Sequence, residues 1–429
     1  MARTTHLGFA KTNLQRTRVS VLEAPPAPAA SGEFPIAGVG ASAGGLEAFS
    51  EMLAHLPANP GLAVVLVQHL NPHHASALSE VLRRSTAMPV LEARDGLAIQ
   101  RDRVYVIPPN AVLSLSGNTL RLELRTGAQR SIDIFLQSLA REQGTRAIGV
   151  VLSGAATDGT LGLGAIKAAG GITFAQDSSA LCDGMPRSAI AAGCVDSILP
   201  PDEIACELMR IAAHLSAAGP APGVSLSPDH LAEICAALRR ATGVDFSFHR
   251  SDFVGSRVLR RMALRNATDP AGYLERLSAE PGELDGLFEE LLMAKSGFFR
   301  EPGALEYLKT RVYPEMFSTP PEQVRAWVPG CAAGEEVYSL VITLLEHFGK
   351  IRHRPRLEVF GTGVHAPSLE KARAGIYPGS IAAEIAPDRL AGFFNAVGSS
   401  YQVGRLLRNA CVFGRQNVWQ DAPFSRLDL

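Results

Sequence analysis

Ser42 sits in Gly40-Ala41-Ser42-Ala43-Gly44, a G-x-S-x-G run between a short apolar stretch and a helical pattern. A hydroxyl in such a turn can act as a nucleophile, because its small neighbours leave it unobstructed. The amides that open the following helix also point toward a developing oxyanion. The same loop could instead cradle a phosphate. A cation would then be wanted nearby, and "GASAGGLEAF" contains neither Lys nor Arg. His69 closes "LAVVLVQH" and is the candidate base. Asp158, in "SGAATDGT", could hold the imidazole tautomer and stabilise the imidazolium, or could simply cap a helix. The chain order Ser, His, Asp differs from the Ser, Asp, His order of α/β-hydrolases, so that fold is not implied. His73 and His74 follow His69 at a loose metal-ligand spacing, but no nearby acid or cysteine completes a set and no metal is expected.

The elements that must position these residues alternate. Apolar strand candidates are Ile36–Val39, Leu62–Gln68, Val104–Ile107, Ala147–Leu152, Ile172–Phe174 and Cys194–Ile198, and such continuous runs suit strands buried on both faces. "GLEAFSEMLAHL" places Leu46, Phe49, Leu53 and Leu56 on one helical stripe. Strand, loop, helix, strand predicts a doubly wound, mostly parallel α/β sheet with its site beyond the carboxyl ends of the strands. Residues 1–33 read as a tail or linker, 34–213 as the first domain and 214–228 as a Pro/Gly/Ser-rich linker. Residues 229–320 read as a helical subdomain and 321–429 as an incomplete Rossmann-like sheet, with strands at Val324 onward and Leu357–Phe360. Within the helical part, Arg257, Arg261 and Arg265 share one stripe, expected either as a solvated basic face or as a docking surface for an acidic partner.

The 429 residues are 46% apolar and 19% charged, with a net charge of −1. That balance gives no global field toward nucleic acid or an anionic membrane. The six cysteines are scattered without a C-x-x-C pair, so reduced thiols are expected rather than a zinc site or disulfide framework. Neither a signal peptide nor an uncharged apolar run of membrane-spanning length is visible, and a cytoplasmic location is expected.

The first block resembles the catalytic domain of the chemotaxis protein-glutamate methylesterases. The likeness rests on "GVGASAGGLEAF", "VVLVQHLNPHHASALSEVLRRSTAMPV", "VYVIPPN", "SIDIFLQSLA", "AIGVVLSGAATDGTLGLGAIKAAGG", "AQDSSALCDGMPRSAIAAGCVD" and "ILPPDEIA". The resemblance implies that Ser42 is the nucleophile, His69 the base and Asp158 the orienting acid. It implies an oxyanion hole from the amides of Ala43 and Ala155, and a substrate loop carrying Met185. It also implies hydrolysis of glutamate methyl esters on receptor helices with release of methanol, deamidation of glutamine, and no cofactor. The family usually carries a receiver domain ahead of this one, where this chain has 33 tail-like residues.

The second block resembles the chemotaxis receptor glutamate methyltransferases, through "YLERL", "FFREP", "LEYLKTRVYPEMF", "WVPGCAAGEEVYSL", "ARAGIYPGSIAAEIAPDRLAGFF" and "FGRQNVWQDAPFSRLDL". This implies an S-adenosylmethionine site over Gly330 to Glu336, with Arg300, Glu335 and Asn417 at cofactor-contacting positions. The chain departs from that pattern at Ala294 and Ser296, before the cofactor turn. It departs again at Gly363, where the family has an acid for the ribose hydroxyls. It stops at Leu429, ahead of a further strand and a Cys-Arg-Asn segment, so an unpaired sheet edge and a degenerate or truncated methyltransferase are expected. Three readings stand: a serine esterase, a bifunctional esterase and methyltransferase, or a non-catalytic scaffold on receptor helices. None involves nucleic acid or membrane insertion.

Overall fold

The computed structural model of the protein describes residues 34–68, 75–126, 130–217, 226–292, 297–319, 321–349, 354–398 and 400–429. The first part is a seven-stranded sheet. Its strands are β1 (Ile36–Ala41), β2 (Ala63–Gln68), β3 (Val90–Glu92), β4 (Val104–Val106), β7 (Ala147–Val151), β8 (Ile172–Gln176) and β9 (Ser197–Leu199). A two-stranded hairpin, β5 (Ala111–Ser116) and β6 (Thr119–Leu124), lies outside it. The order is β3-β4-β2-β1-β7-β8-β9 and every pairing is parallel. Val39 of β1 faces Leu66 on one side and Val150 on the other.

The strands are apolar throughout because helices cover both faces. Phe49, Met52 and Leu53 of α1 (Gly45–Ala54) fill one face with Ile204, Leu208 and Ile211 of α6 (Pro201–Ala217). Helix α2 (Ala75–Ser85) adds Leu78 and Leu82 on that side. On the other face stand Phe135 and Leu136 of α3 (Ser131–Gln143), Leu163 and Ile166 of α4 (Thr160–Ala168), and Met185 of α5 (Gly184–Ala191). The stripe expected on α1 is inside: Phe49, Leu53 and Leu56 are buried and Leu46 packs against them. The strand expected at Cys194–Ile198 begins later, because the Cys194 amide closes α5 through the Ala189 carbonyl at 3.1 Å.

After β1 the chain crosses to β2 on one side, and after β7 to β8 on the other. The carboxyl ends of β1 and β7 therefore flank the switch point of the sheet, where such folds leave a crevice.

The next part is helical: α7 (Pro228–Thr242), α8 (Ser251–Leu264), α9 (Pro270–Ala279) and α10 (Pro281–Leu292), around Ile234, Leu238, Val258, Met262, Tyr273 and Leu287. Here the arginine stripe finds its acids inside the chain, and of its three members only Arg265 stays largely exposed. Arg261 and Arg265 both pair with Glu283 of α10, at 2.5 Å each. Arg257 is buried; it pairs with Glu290 at 3.1 Å and donates to the Lys167 and Ala168 carbonyls of the first part. Its neighbour Arg260 donates to the Gly171 carbonyl at 2.7 Å and pairs with Asp196 and Glu290. Lys167 reaches Asp196 from the other side at 3.1 Å. The stripe's acidic partners lie within the chain, and α8 is bolted to the segments that lead into β8 and β9. That rim of the sheet is the one opposite the carboxyl ends.

The last part contains β10 (Gln323–Pro329), β11 (Arg356–Gly363), an antiparallel trio β12 (Ile376–Pro378), β13 (Phe394–Val397) and β14 (Ser400–Val403), and β15 (Cys411–Arg415). Strands β10, β11 and β15 form a parallel sheet in the order β10-β11-β15. The free edge expected at β10 is partly covered: Trp327 donates its amide to the Leu429 carbonyl at 3.0 Å, and Asp428 donates to the Arg325 carbonyl at 2.8 Å. Among the described residues no helix is long and apolar enough to cross a membrane.

Candidate active site

Strand β1 ends at Ala41 and delivers Ser42, half-buried, to the switch-point crevice. The turn differs from a strained nucleophile elbow. The left-handed residue is Gly44 (φ 73°), at the N-cap of α1, and Ser42 keeps a negative φ. Glycine is required at 44 on space as well as on φ, since a Cβ there would meet the Ser153 Oγ at 2.7 Å and the Leu181 Cβ at 2.8 Å.

Two hydrogen bonds tie the serine loop directly to the loop after β7, and three more brace the two loops. The Ser42 amide donates to the Ser153 carbonyl at 2.9 Å. The Ser153 hydroxyl donates to the Ala43 carbonyl at 2.8 Å and accepts from the Cys182 amide at 2.9 Å. The Ser153 amide is in turn held by the Gln176 side chain at 2.8 Å, from the carboxyl end of β8. Gln68, the last residue of β2, donates to the Ser42 carbonyl at 3.2 Å. Three strand ends thus converge on one serine loop.

The amides of Ala43 and Ala155 donate to no acceptor among the described residues, and both residues are exposed. Free donors on adjoining loops are what an oxyanion needs. Gly154, between them, has no room for a side chain: a Cβ would lie 2.2 Å from the Met185 Sδ and 3.1 Å from the Ser42 Cβ. Met185 itself is fully buried in the first turn of α5, under Gly154. It supports the loop from below, and the large apolar side chain that the 177–184 segment presents to solvent is Leu181, 78% exposed.

Asp158 is buried, and it does not cap its own helix in the expected way. Its carboxylate accepts from the amides of Ile132 and Asp133, in the first turn of α3, at 3.1 and 3.0 Å, and from Gly159 at 2.9 Å. Asp133 returns the arrangement by accepting from Gly162, in the first turn of α4, at 2.7 Å. Two helices therefore cap each other through two acids. Arg130 stands over both: its Nε is 2.7 Å from Asp133, an ion pair without the geometry of a linear hydrogen bond, and 3.9 Å from Asp158. Burial, then the charge of Asp158, push the Asp133 carboxyl up to about 7. Asp133, Arg130 and Ser153 carried no motif signal in the sequence; their roles depend on which loops meet. The proposed base His69, with His73 and His74, lies outside the described residues, as do Ala294 and Ser296.

Residues 37–208 match the family model of the CheB methylesterase. They form a CheB-type methylesterase domain. Residues 229–292 match the all-alpha domain of the CheR methyltransferase, and 294–429 its SAM binding domain. The chain therefore joins a CheB-type region to a CheR-type region. A protein-glutamate methylesterase/protein-glutamine glutaminase of Anaeromyxobacter dehalogenans is 40% identical over 182 residues, covering 40% of this chain and 50% of that protein. Its namesake in Pseudomonas aeruginosa is 39% identical over 210 residues, covering 46% and 59%. An uncharacterized 104.1 kDa protein of Rhodobacter capsulatus is 35% identical over 380 residues, covering 82% of this chain and 40% of its own. The chain thus spans about half the length of the curated relatives it matches. The crystal structure of the Thermotoga maritima CheB methylesterase catalytic domain is 28% identical, with a TM-score of 0.39, covering 42% of this chain and 98% of that one.

In the region that matches the SAM binding domain the turn from Gly330 to Gly334 leads into the helix Glu335–Phe348, with Gly330 and Gly334 both left-handed (φ 70° and 93°). Ala332 is left-handed as well (φ 44°). Glu335 is buried, Arg300 lies 3.6 Å from Glu336, and the Asn417 side chain accepts from the Trp419 amide at 3.1 Å. Gly363 ends β11 without a side chain, and its carbonyl accepts from the Gln416 amide at 2.9 Å.

Proposed function

We propose that the CheB-type domain is a serine esterase that hydrolyses glutamate methyl esters on the cytoplasmic helices of chemoreceptor-type proteins and releases methanol. The observation that supports it best is the bond from the Ser42 amide to the Ser153 carbonyl, which holds the hydroxyl loop against the loop of Ala155 and Asp158. In this reading Ser42 Oγ adds to the ester carbonyl while His69 takes its proton. The negative oxygen rests on the amides of Ala43 and Ala155. The methoxy C–O bond then breaks, His69 returns the proton, and methanol leaves. Water attacks the acyl-enzyme with His69 again as base and frees glutamate and Ser42. Asp158 orients the imidazole throughout. A glutamine side chain follows the same steps with ammonia leaving, in keeping with the glutaminase half of the relatives' names.

The second module takes no part in that chemistry. S-adenosylmethionine would supply a methyl group to a carboxylate, and the glycine turn offers the close approach such a ligand needs. The ribose side does not fit. Gly363 brings no carboxylate, and the neighbouring Thr362 hydroxyl already accepts from Trp327 Nε1 at 2.9 Å. Methyl transfer is therefore left out of the proposal.

The test is methanol release from a methylated receptor fragment. Ser42→Ala should lower it by at least about a thousandfold with the fold retained. Unchanged turnover would refute the assignment.

A further inference from the structure

The mutual capping of α3 and α4 places two acids, Asp133 and Asp158, in one buried site under one arginine. Each carboxylate accepts amides from the other's helix, so both helix N-termini favour negative charge there. Among the described residues Arg130, partly open to solvent, is the cation that lies within 4 Å of both. A second full charge in a site this dry is costly. The amide donors are divided unequally. Asp158 accepts three amide hydrogen bonds, whereas Asp133 accepts one, at Oδ1; its Oδ2 lies beside Arg130 and accepts no hydrogen bond among the described residues. A proton added to the pair therefore has its place on Asp133 Oδ2.

We propose that Asp133 is a positioning residue for the esterase: its Oδ2 takes the proton of the pair and leaves Asp158 as the charged member. This rests on the reading of Asp158 as the acid that orients the base. Two consequences follow. When Asp133 is protonated, one negative charge near the base is removed and the base is less easily protonated. As the pH rises and Asp133 ionises, the base becomes more basic in step, so the acid limb of kcat/KM is broadened over its simple one-proton form.

Among the described residues three charged or titratable groups face Asp133. Arg130 comes from the segment ahead of α3, Asp158 from the loop after β7, and Cys194 from the segment between α5 and β9. From α4 it meets only the Gly162 amide. Burial holds the Cys194 thiol up to about 11, so it stays uncharged across the working range.

The experiment compares full-length wild type, Asp133→Asn, Arg130→Gln and Asp158→Asn in methanol release from a methylated receptor fragment across pH 5 to 9. Asparagine keeps an acceptor for the Gly162 amide, so Asp133→Asn preserves the cap while removing the charge. It should move the acid limb to lower pH and sharpen it to one proton. Arg130→Gln removes a cation from the same pair and should move the limb to higher pH. A purely structural role would lower kcat in both without displacing either limb. If Asp158→Asn abolishes turnover while both other variants keep the wild-type limb, the proposal fails and the triad reading stands. If Asp158→Asn retains full turnover, the triad reading itself fails. Should Asp133→Asn not fold, the displacement in Arg130→Gln decides alone.

Discussion

The Ser153 hydroxyl lies 2.8 Å from the Ala43 carbonyl and ties the loop of the proposed nucleophile to the loop that carries Asp158. The same hydroxyl receives the Cys182 amide. Ser153→Ala should leave both groups without a partner, at a cost of roughly 1–3 kcal/mol. The backbone bond from Ser42 to Ser153 survives the change, so the fold should persist. We expect a fall in melting temperature of several degrees and about a tenfold loss in kcat, because the Ala43 amide is no longer held in line. Thermal denaturation and methanol release at saturating substrate measure the two effects.

Ala156 is held at φ 68°, in the loop that presents Ala155 and Asp158. A left-handed residue with a Cβ carries about 1–2 kcal/mol of strain, offset in a glycine variant by about 0.4–1 kcal/mol of unfolded-state entropy. Ala156→Gly should therefore stabilise the protein by about 1 kcal/mol or less. Chemical denaturation resolves that change through its midpoint at constant m-value.

The contact between α8 and the esterase sheet rests on paired, buried charges. Arg260→Met removes one cation from between Asp196 and Glu290, and breaking a buried pair in this way costs about 3–5 kcal/mol. Arg239→Met, at a solvent-facing pair with Asp245, should leave stability almost unchanged. Differential scanning calorimetry of the two variants separates them.

Asp196 also sets an acid limit. Burial alone would raise its carboxyl, but Arg260 and Lys167 outweigh burial and hold it low. A carboxyl depressed in the folded state adds stability above its unfolded value, near 3.9, and loses it as pH falls toward the folded one. The interface should weaken only below about pH 4. Asp196→Asn should flatten that acid dependence in melting-temperature scans from pH 3 to 7.

Gly363 has room for a side chain: the nearest atom to an added Cβ is the Leu369 Cδ2 at 3.9 Å, and its φ is ordinary. Wild type should bind S-adenosylmethionine weakly or not at all in isothermal titration calorimetry. Gly363→Asp should tighten binding by about 5- to 150-fold, the worth of a ribose acceptor at roughly 1–3 kcal/mol. Micromolar affinity in the wild type would show that other groups hold the ribose.

Much of the sheet could be read in advance because strands covered on both faces carry their signal in composition alone, as "LAVVLVQ" and "AIGVVL" do. Helix α1 was legible through Phe49, Leu53 and Leu56. The hairpin Ala111–Leu124 was also present as alternation around Gly117-Asn118, a two-residue turn signal, but its strands are amphipathic and stand outside the sheet. Ser42 and Asp158 stood out because glycine-rich turns after apolar strands are rare combinations. The arginine stripe misled for a physical reason. Helical spacing says which residues share a face, and only the tertiary fold says that Glu283, Glu290 and Asp196 wait opposite it. Asp133 was hidden in the same way, since "SIDIF" reads as an ordinary helix start until α4 is laid beside it.

Strand β8 is gripped at both tips. At its foot Gly171 and Thr173 meet Arg260 and Asp196; at its head Gln176 carries the Ser153 amide. A five-residue extended segment is nearly inextensible. A tug on the methyltransferase-type helices would therefore travel along this one rod and emerge, on the far side of the molecule, as a displacement of the serine loop.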